Sequence, residues 1–185
     1  MKKTIWTFGL IAGGILSAMM LITLPFEKQI GYDRAEVVGY ATMVAAFLLI
    51  FFGVRSYRDN VGGGRVSFGR AVSVGLLITL VASSCYAATW EAMVYSGLEG
   101  DFFAKYQAYE IQKARESGAS QTEIAKKQAD NARFAELYKN PFIMFGMTIL
   151  EPLPVGVILS LVSAGVLSRR RRSPLEMMGA ASQSA

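Results

Sequence analysis

The sequence predicts an all-α, polytopic membrane protein with four transmembrane helices and an extracytoplasmic helical hairpin between the third and the fourth. Three observations carry this. Apolar runs at about 4–24, 35–54, 71–92 and 142–168 are each of spanning length, because about 20 apolar helical residues traverse the roughly 30 Å hydrocarbon core of a bilayer. Basic residues collect at Lys2 and Lys3, at Arg55, Arg58, Arg65 and Arg70, and at Arg169, Arg170, Arg171 and Arg172, and such clusters stay on the cytoplasmic side. The long hydrophilic segment from Glu99 to Lys139 holds seven acids and seven bases, so it exerts no inward pull and suits the outer face. Both termini are therefore expected inside.

The first span follows Lys2-Lys3 and exceeds the apolar core of a secretory signal, with no small-x-small cleavage site, so it reads as retained. Gly9, Gly13 and Ser17 recur every fourth residue, a spacing that lets two helix backbones approach closely. Pro25 ends this helix. A charge-balanced loop, Phe26 to Arg34, leads to the second span, with Glu36 in its first turn, where the helix dipole favours a carboxylate.

Arg55 to Arg70 reads as the inner basic loop. Its Gly62-Gly63-Gly64 lacks the Gly-Lys-Ser/Thr and the preceding strand of a phosphate-binding loop, so a turn is expected and nucleotide binding is not. Ser67 is placed to cap the third span. On that span Ala71, Gly75, Thr79, Ser83 and Ala87 form a small-residue ridge whose next step is Glu91, and Tyr86, Trp90 and Tyr95 make an aromatic belt at its outer end.

Asp101 to Glu116 predicts a helix with Phe102, Phe103, Tyr106 and Tyr109 on one flank, broken by Ser117-Gly118-Ala119. Ser120-Gln121-Thr122-Glu123 is a capping box that opens a second helix running to Tyr138. After Asn140-Pro141 comes the last span. Pro152 and Pro154 each remove a backbone donor and disfavour helical geometry before them, so a kink is expected from Glu151 to Pro154. Gly156, Ser160, Ala164 and Ser168 make a further small-residue ridge. Residues 1–172 form one domain in this reading, and 173–185 a disordered cytoplasmic tail.

The net charge of +5 lies beside apolar helices, which points to orientation in a bilayer rather than to nucleic acid. Histidine is absent and Cys85 is the single cysteine. No catalytic constellation, metal cluster or cofactor motif appears, so no enzyme, metal or cofactor is expected. The expected partners are the lipid bilayer and either a further copy of the chain or another membrane protein.

Gly39-Tyr40, Phe51-Phe52-Gly53, Tyr57-Arg58-Asp59, Ser67-Phe68-Gly69-Arg70-Ala71, Asn140-Pro141 and Glu151-Pro152-Leu153-Pro154-Val155-Gly156 occur in that order. In order and spacing they resemble the bacterial membrane proteins called domain of unknown function 4199, from about Lys2 to Arg172. The resemblance implies a four-helix protein of the bacterial inner membrane and brings no activity and no catalytic residue.

Chemistry is then sought in the carboxylates that approach the bilayer: Glu36, Glu91 and Glu151. An ionised carboxylate at the bilayer centre costs roughly 2.5–3.5 kcal/mol on insertion scales, so one retained there is usually functional. Glu91, however, falls at the outer boundary counted from Arg70 and Glu151 precedes a 17-residue crossing, so the plainer reading is solvated or hydrogen-bonded interface glutamates. One reading is a non-enzymatic scaffold that engages a partner through its small-residue faces and external hairpin. The alternative is a cation or small-solute transport component, assembled as an oligomer because four spans are few for a complete carrier, in which Glu36, Glu91 and Glu151 meet in an outward pocket, as at the broken helices of transporters.

Overall fold

The computed structural model describes residues 1–98 and 102–168, the side chains at positions 27, 28, 102 and 103 apart. Arg169 to Arg172 and the tail 173–185 lie outside the described residues, as does Glu99. The described residues form helices joined by turns and short connections, with no strand among them. In chain order they form α1 (Lys2–Thr23), α2 (Glu27–Ile30), α3 (Tyr32–Asn60), α4 (Phe68–Ser96), α5 (Phe102–Glu116), α6 (Gln121–Tyr138), α7 (Pro141–Leu150) and α8 (Leu153–Leu167). Helices α1, α3 and α4 are long and apolar enough to cross a membrane, and α7 with α8, bent by 40° at their junction, makes a fourth if the pair is one span. Their apolar surface faces outward to a degree unusual for a water-facing protein, with Trp6 57% exposed on α1 and Ile158 61% on α8.

Two boundaries differ from the sequence expectation. Pro25 does not lead into an open loop: α1 passes through a 3-10 turn, Leu24–Phe26, into the single turn of α2. Helix α3 also runs past Val54 to Asn60, so Arg55 and Arg58 stand on the helix rather than in a loop. No breaker precedes Gly62, and Asp59 holds Arg58 at 2.7 Å and Arg55 at 3.7 Å. Gly63 and Gly64 then turn the chain with φ of 60° and 82°, and a Cβ on Gly62 would lie 2.2 Å from the Arg65 carbonyl oxygen. Only glycine fits such a turn. Ser67 sits at the start of α4, but its side chain makes no capping bond.

Helix α4 is the centre of the bundle, flanked by α1, α3 and α8. Its contacts explain the small residues. A Cβ on Gly9 would meet Val81 and one on Gly13 would meet Cys85, while the Thr89 hydroxyl donates to Ser17 Oγ at 2.8 Å. The last two pairs share a numbering difference of 72, so α1 and α4 run parallel. Against α8 the pairs are Gly75 with Ser160 and Gly156 with Thr79. These share a sum of 235, so α4 and α8 run antiparallel. Thr79 and Ser160 turn their hydroxyls back to the carbonyls of Gly75 and Gly156, at 3.0 and 2.7 Å. That satisfies two buried oxygens on their own helices and leaves only small surfaces between the backbones. Ala164 is fully buried, and Phe47, Ile50, Val54 and Ile78 fill the remaining core.

Helices α5 and α6 fold against each other. Gln107 donates to the Asn131 carbonyl at 3.3 Å and Glu110 pairs with Lys127 at 2.5 Å, which fixes an antiparallel hairpin. Gly118, at φ 81°, makes the turn. The capping box forms: the Glu123 amide donates to Ser120 Oγ and the Ser120 amide donates to Glu123 Oε2. At the start of α7, Asn140 Oδ1 accepts from the amides of Phe142 and Ile143, with Pro141 behind it. The ladder then fails before Pro152, where the Glu151 amide reaches only the Thr148 carbonyl, at 3.4 Å.

Candidate functional site

The hairpin bends back over the end of the bundle where α1 and α4 finish and α3 begins. Between them lies an open cavity of about 520 Å³. Leu16, Met19 and Met20 of α1 give it an apolar wall; Tyr32, Glu36 and Tyr40 of α3 give a second; Tyr86 and Trp90 of α4 a third. Tyr106, Gln107, Glu110, Asn131, Phe134 and Tyr138 of the hairpin form the roof, and Thr148 and Glu151 enter from the broken helix.

Each side chain arrives for a local reason. Glu36 and Tyr40 are one turn apart on the same face of α3. Tyr86 and Trp90 are likewise one turn apart on α4. Glu151 points in because the proline break stops α7 and turns α8 away from it. Its Oε2 accepts from the Tyr86 hydroxyl at 3.2 Å. Tyr86 stands ten residues before the end of α4, so this contact lies about 15 Å below the helix tip. Tyr138 and Thr148 line the cavity beside it.

The roof is attached by side chains. Lys113 on α5 donates to Asp33 Oδ1 at 2.6 Å, and Tyr32 packs against the rings of Tyr106 and Tyr109 at 5.7 and 4.9 Å. The Asp33 carboxylate holds the Lys113 ammonium above its usual value. The Tyr109 hydroxyl, also hydrogen-bonded to Asp33, is raised too. Burial raises Tyr106, helped by the negative fields of Glu110 and Glu36.

Of the three carboxylates singled out in the sequence, Glu36 and Glu151 share the cavity and Glu91 is not among its lining residues. Glu91 Oε1 is instead buried on another face of α4, without a hydrogen-bond partner among the described residues. Sequence reading missed Glu110, Gln107, Asn131 and the tyrosines Tyr32, Tyr40 and Tyr138 as cavity residues. Their signal is tertiary, since it depends on where the hairpin comes down. Pro152 is buried and marks the break, and Pro154 lies within the first turn of α8. Arg65 is in the turn 61–67 and Arg70 in the first turn of α4, at the far end from the cavity.

Fold and cavity together define an all-helical chain with the apolar helices of a membrane-embedded protein and an acidic, aromatic-lined cavity under a helical hairpin. The chain belongs to the family described as protein of unknown function (DUF4199), whose model matches residues 7–169. Comparison with curated proteins and with solved structures gave no match.

Proposed function

We propose that the chain is a four-span protein of the bacterial inner membrane that takes up a small solute in its outward cavity, as a binding or transport component. The spans are α1, α3, α4 and the broken α7–α8. Both termini lie in the cytoplasm, and the α5–α6 hairpin lies outside. The basic residues support this orientation: Lys2, Lys3, Arg55, Arg58, Arg65 and Arg70 all gather at the end of the bundle away from the hairpin.

One observation carries the functional reading: Glu36, Glu110 and Glu151 line a single cavity of about 520 Å³. That volume is in the range of small-molecule sites, roughly 300–1,000 Å³. A scaffold acting through small-residue faces has less to support it, because Gly9, Gly13, Gly75 and Gly156 are already occupied inside the bundle.

The test is cysteine labelling in a Cys85→Ala background. Glu36→Cys should react with a hydrophilic, membrane-impermeant maleimide in right-side-out vesicles, and Arg65→Cys only after permeabilisation. The reverse pattern would overturn the orientation. A Glu36→Cys that resists the reagent from both sides would overturn the solute-accessible cavity.

A further inference from the structure

We infer that the ligand of this cavity is an alkylammonium cation, seated with its charge between Glu36 and Glu151 and its carbon chain along the wall of α1. The inference rests on the cavity being a solute site and adds the chemistry of the solute. Charge is the first ground. Glu110 is matched by Lys127 at 2.5 Å, whereas among the described residues Glu36 makes no ion pair and Glu151 accepts only from the neutral Tyr86. No lysine or arginine is among the described lining residues. Among the described residues, then, no cation balances these two carboxylates facing the same space.

The walls supply the second ground. Tyr32, Tyr40, Tyr86, Trp90, Tyr106 and Tyr138 all front the cavity. Aromatic faces attract a cation through the ring quadrupole, and groups of them are the usual receptor for alkylated ammonium. A small hydrated metal ion has no use for such walls. It needs a tight shell of oxygen ligands, and among the described residues no three acidic, histidine or cysteine side chains converge to hold one. The apolar wall of Leu16, Met19 and Met20 continues from the aromatic region. It offers a flexible, polarisable surface to an alkyl chain.

An alkylammonium group can come from a free amine or from an aminophospholipid headgroup, and the test separates them. Trp90 lines the cavity and Trp6 is the other tryptophan, so Trp6→Phe leaves Trp90 as the reporter. The full chain, in a maltoside detergent at constant ionic strength, is titrated with hexyltrimethylammonium chloride, with hexanol and with calcium chloride. The expected result is a saturable change in Trp90 fluorescence with the ammonium alone.

Glu36→Gln should weaken that binding about tenfold, the scale of one lost charge-assisted contact. Tyr40→Leu should weaken it a few-fold. Glu36 is exposed, so its substitution leaves the fold intact. In nanodiscs, phosphatidylethanolamine in place of phosphatidylglycerol should weaken the probe if the headgroup is the natural occupant. An unchanged affinity assigns the site to a free amine. Equal binding of hexanol, indifference to Glu36→Gln, or tighter binding of calcium overturns the ammonium assignment and leaves the solute cavity standing. No response to any of the three probes overturns both.

Discussion

Gly156→Ala tests whether α4 and α8 are joined as described. A Cβ at position 156 would lie 2.2 Å from Thr79 Cγ2, 2.5 Å from its Oγ1 and 2.9 Å from its Cβ. Rotating Thr79 cannot relieve this, because the Cβ is fixed to the backbone. Helix α8 must therefore move away from α4. Overpacking of this kind costs about 1–3 kcal/mol. The substitution also gains helix propensity, up to about 1 kcal/mol. Gly14→Ala serves as the control, since a Cβ there meets nothing within 4 Å. The propensity gain is common to both variants and cancels between them. Gly156→Ala should thus be less stable than Gly14→Ala by the overpacking alone. At roughly 2–4 °C per kcal/mol for a chain of this size, thermal melts of the purified protein in detergent resolve the difference. Adding Thr79→Ala removes Cγ2 and Oγ1 but keeps the Cβ at 2.9 Å, so it should recover part of the loss, giving a favourable coupling in the double-mutant cycle. A Gly156→Ala variant that melts with or above Gly14→Ala would refute the close crossing.

Four further outcomes are expected. Glu91→Leu should raise the melting temperature or leave it unchanged, because it removes a buried oxygen that lacks a partner; a clear loss of stability would mean that Glu91 has a partner in the membrane. Ser120→Ala should destabilise α6 by about 1 kcal/mol, read as faster amide exchange in its first turn. The Ser120 amide and hydroxyl hold the Glu123 carboxyl below its usual value, so this capping contribution is present above the unfolded value and lost as pH falls through the lower folded one. Lys113 is raised, so its tie to Asp33 persists below the unfolded lysine value and disappears as pH rises through the folded one; exchange in α5 should quicken at that alkaline limit, and Lys113→Met should abolish the transition.

The parts of the fold that were legible in the sequence are those written in local chemistry. Gly118, the Ser120–Glu123 box, Asn140-Pro141 and the Pro152 break each act within a few residues, and each appears where its chemistry puts it. Glu91 shows why extrapolation from such signals fails. As the next rung of a four-residue ridge, it is expected from the sequence to meet Glu151. Each four-residue step advances about 40° beyond a full turn, so three steps from Thr79 carry Glu91 about 120° away from the face that meets α8. Seven residues bring the helix back to within about 20°, and it is Tyr86, seven after Thr79, that meets Glu151. The cavity itself depends on the fold of the hairpin over three other helices, and no window of sequence contains that.

The paired glycines and hydroxyls of α4 and α8 also work as a register. Two apolar helices in lipid have little to stop one from sliding along the other. Here a slip of four residues one way would set Gly75 against Gly156 and open a gap. The same slip the other way would drive Thr79 into Ser160. Either shift moves α8 by about 6 Å at the usual rise per residue. Glu151, just above α8, would travel with it and lose the Tyr86 hydroxyl. The height at which this protein holds the Glu151 carboxyl group is thus set by two glycines, one on each helix, that have no side chain at all.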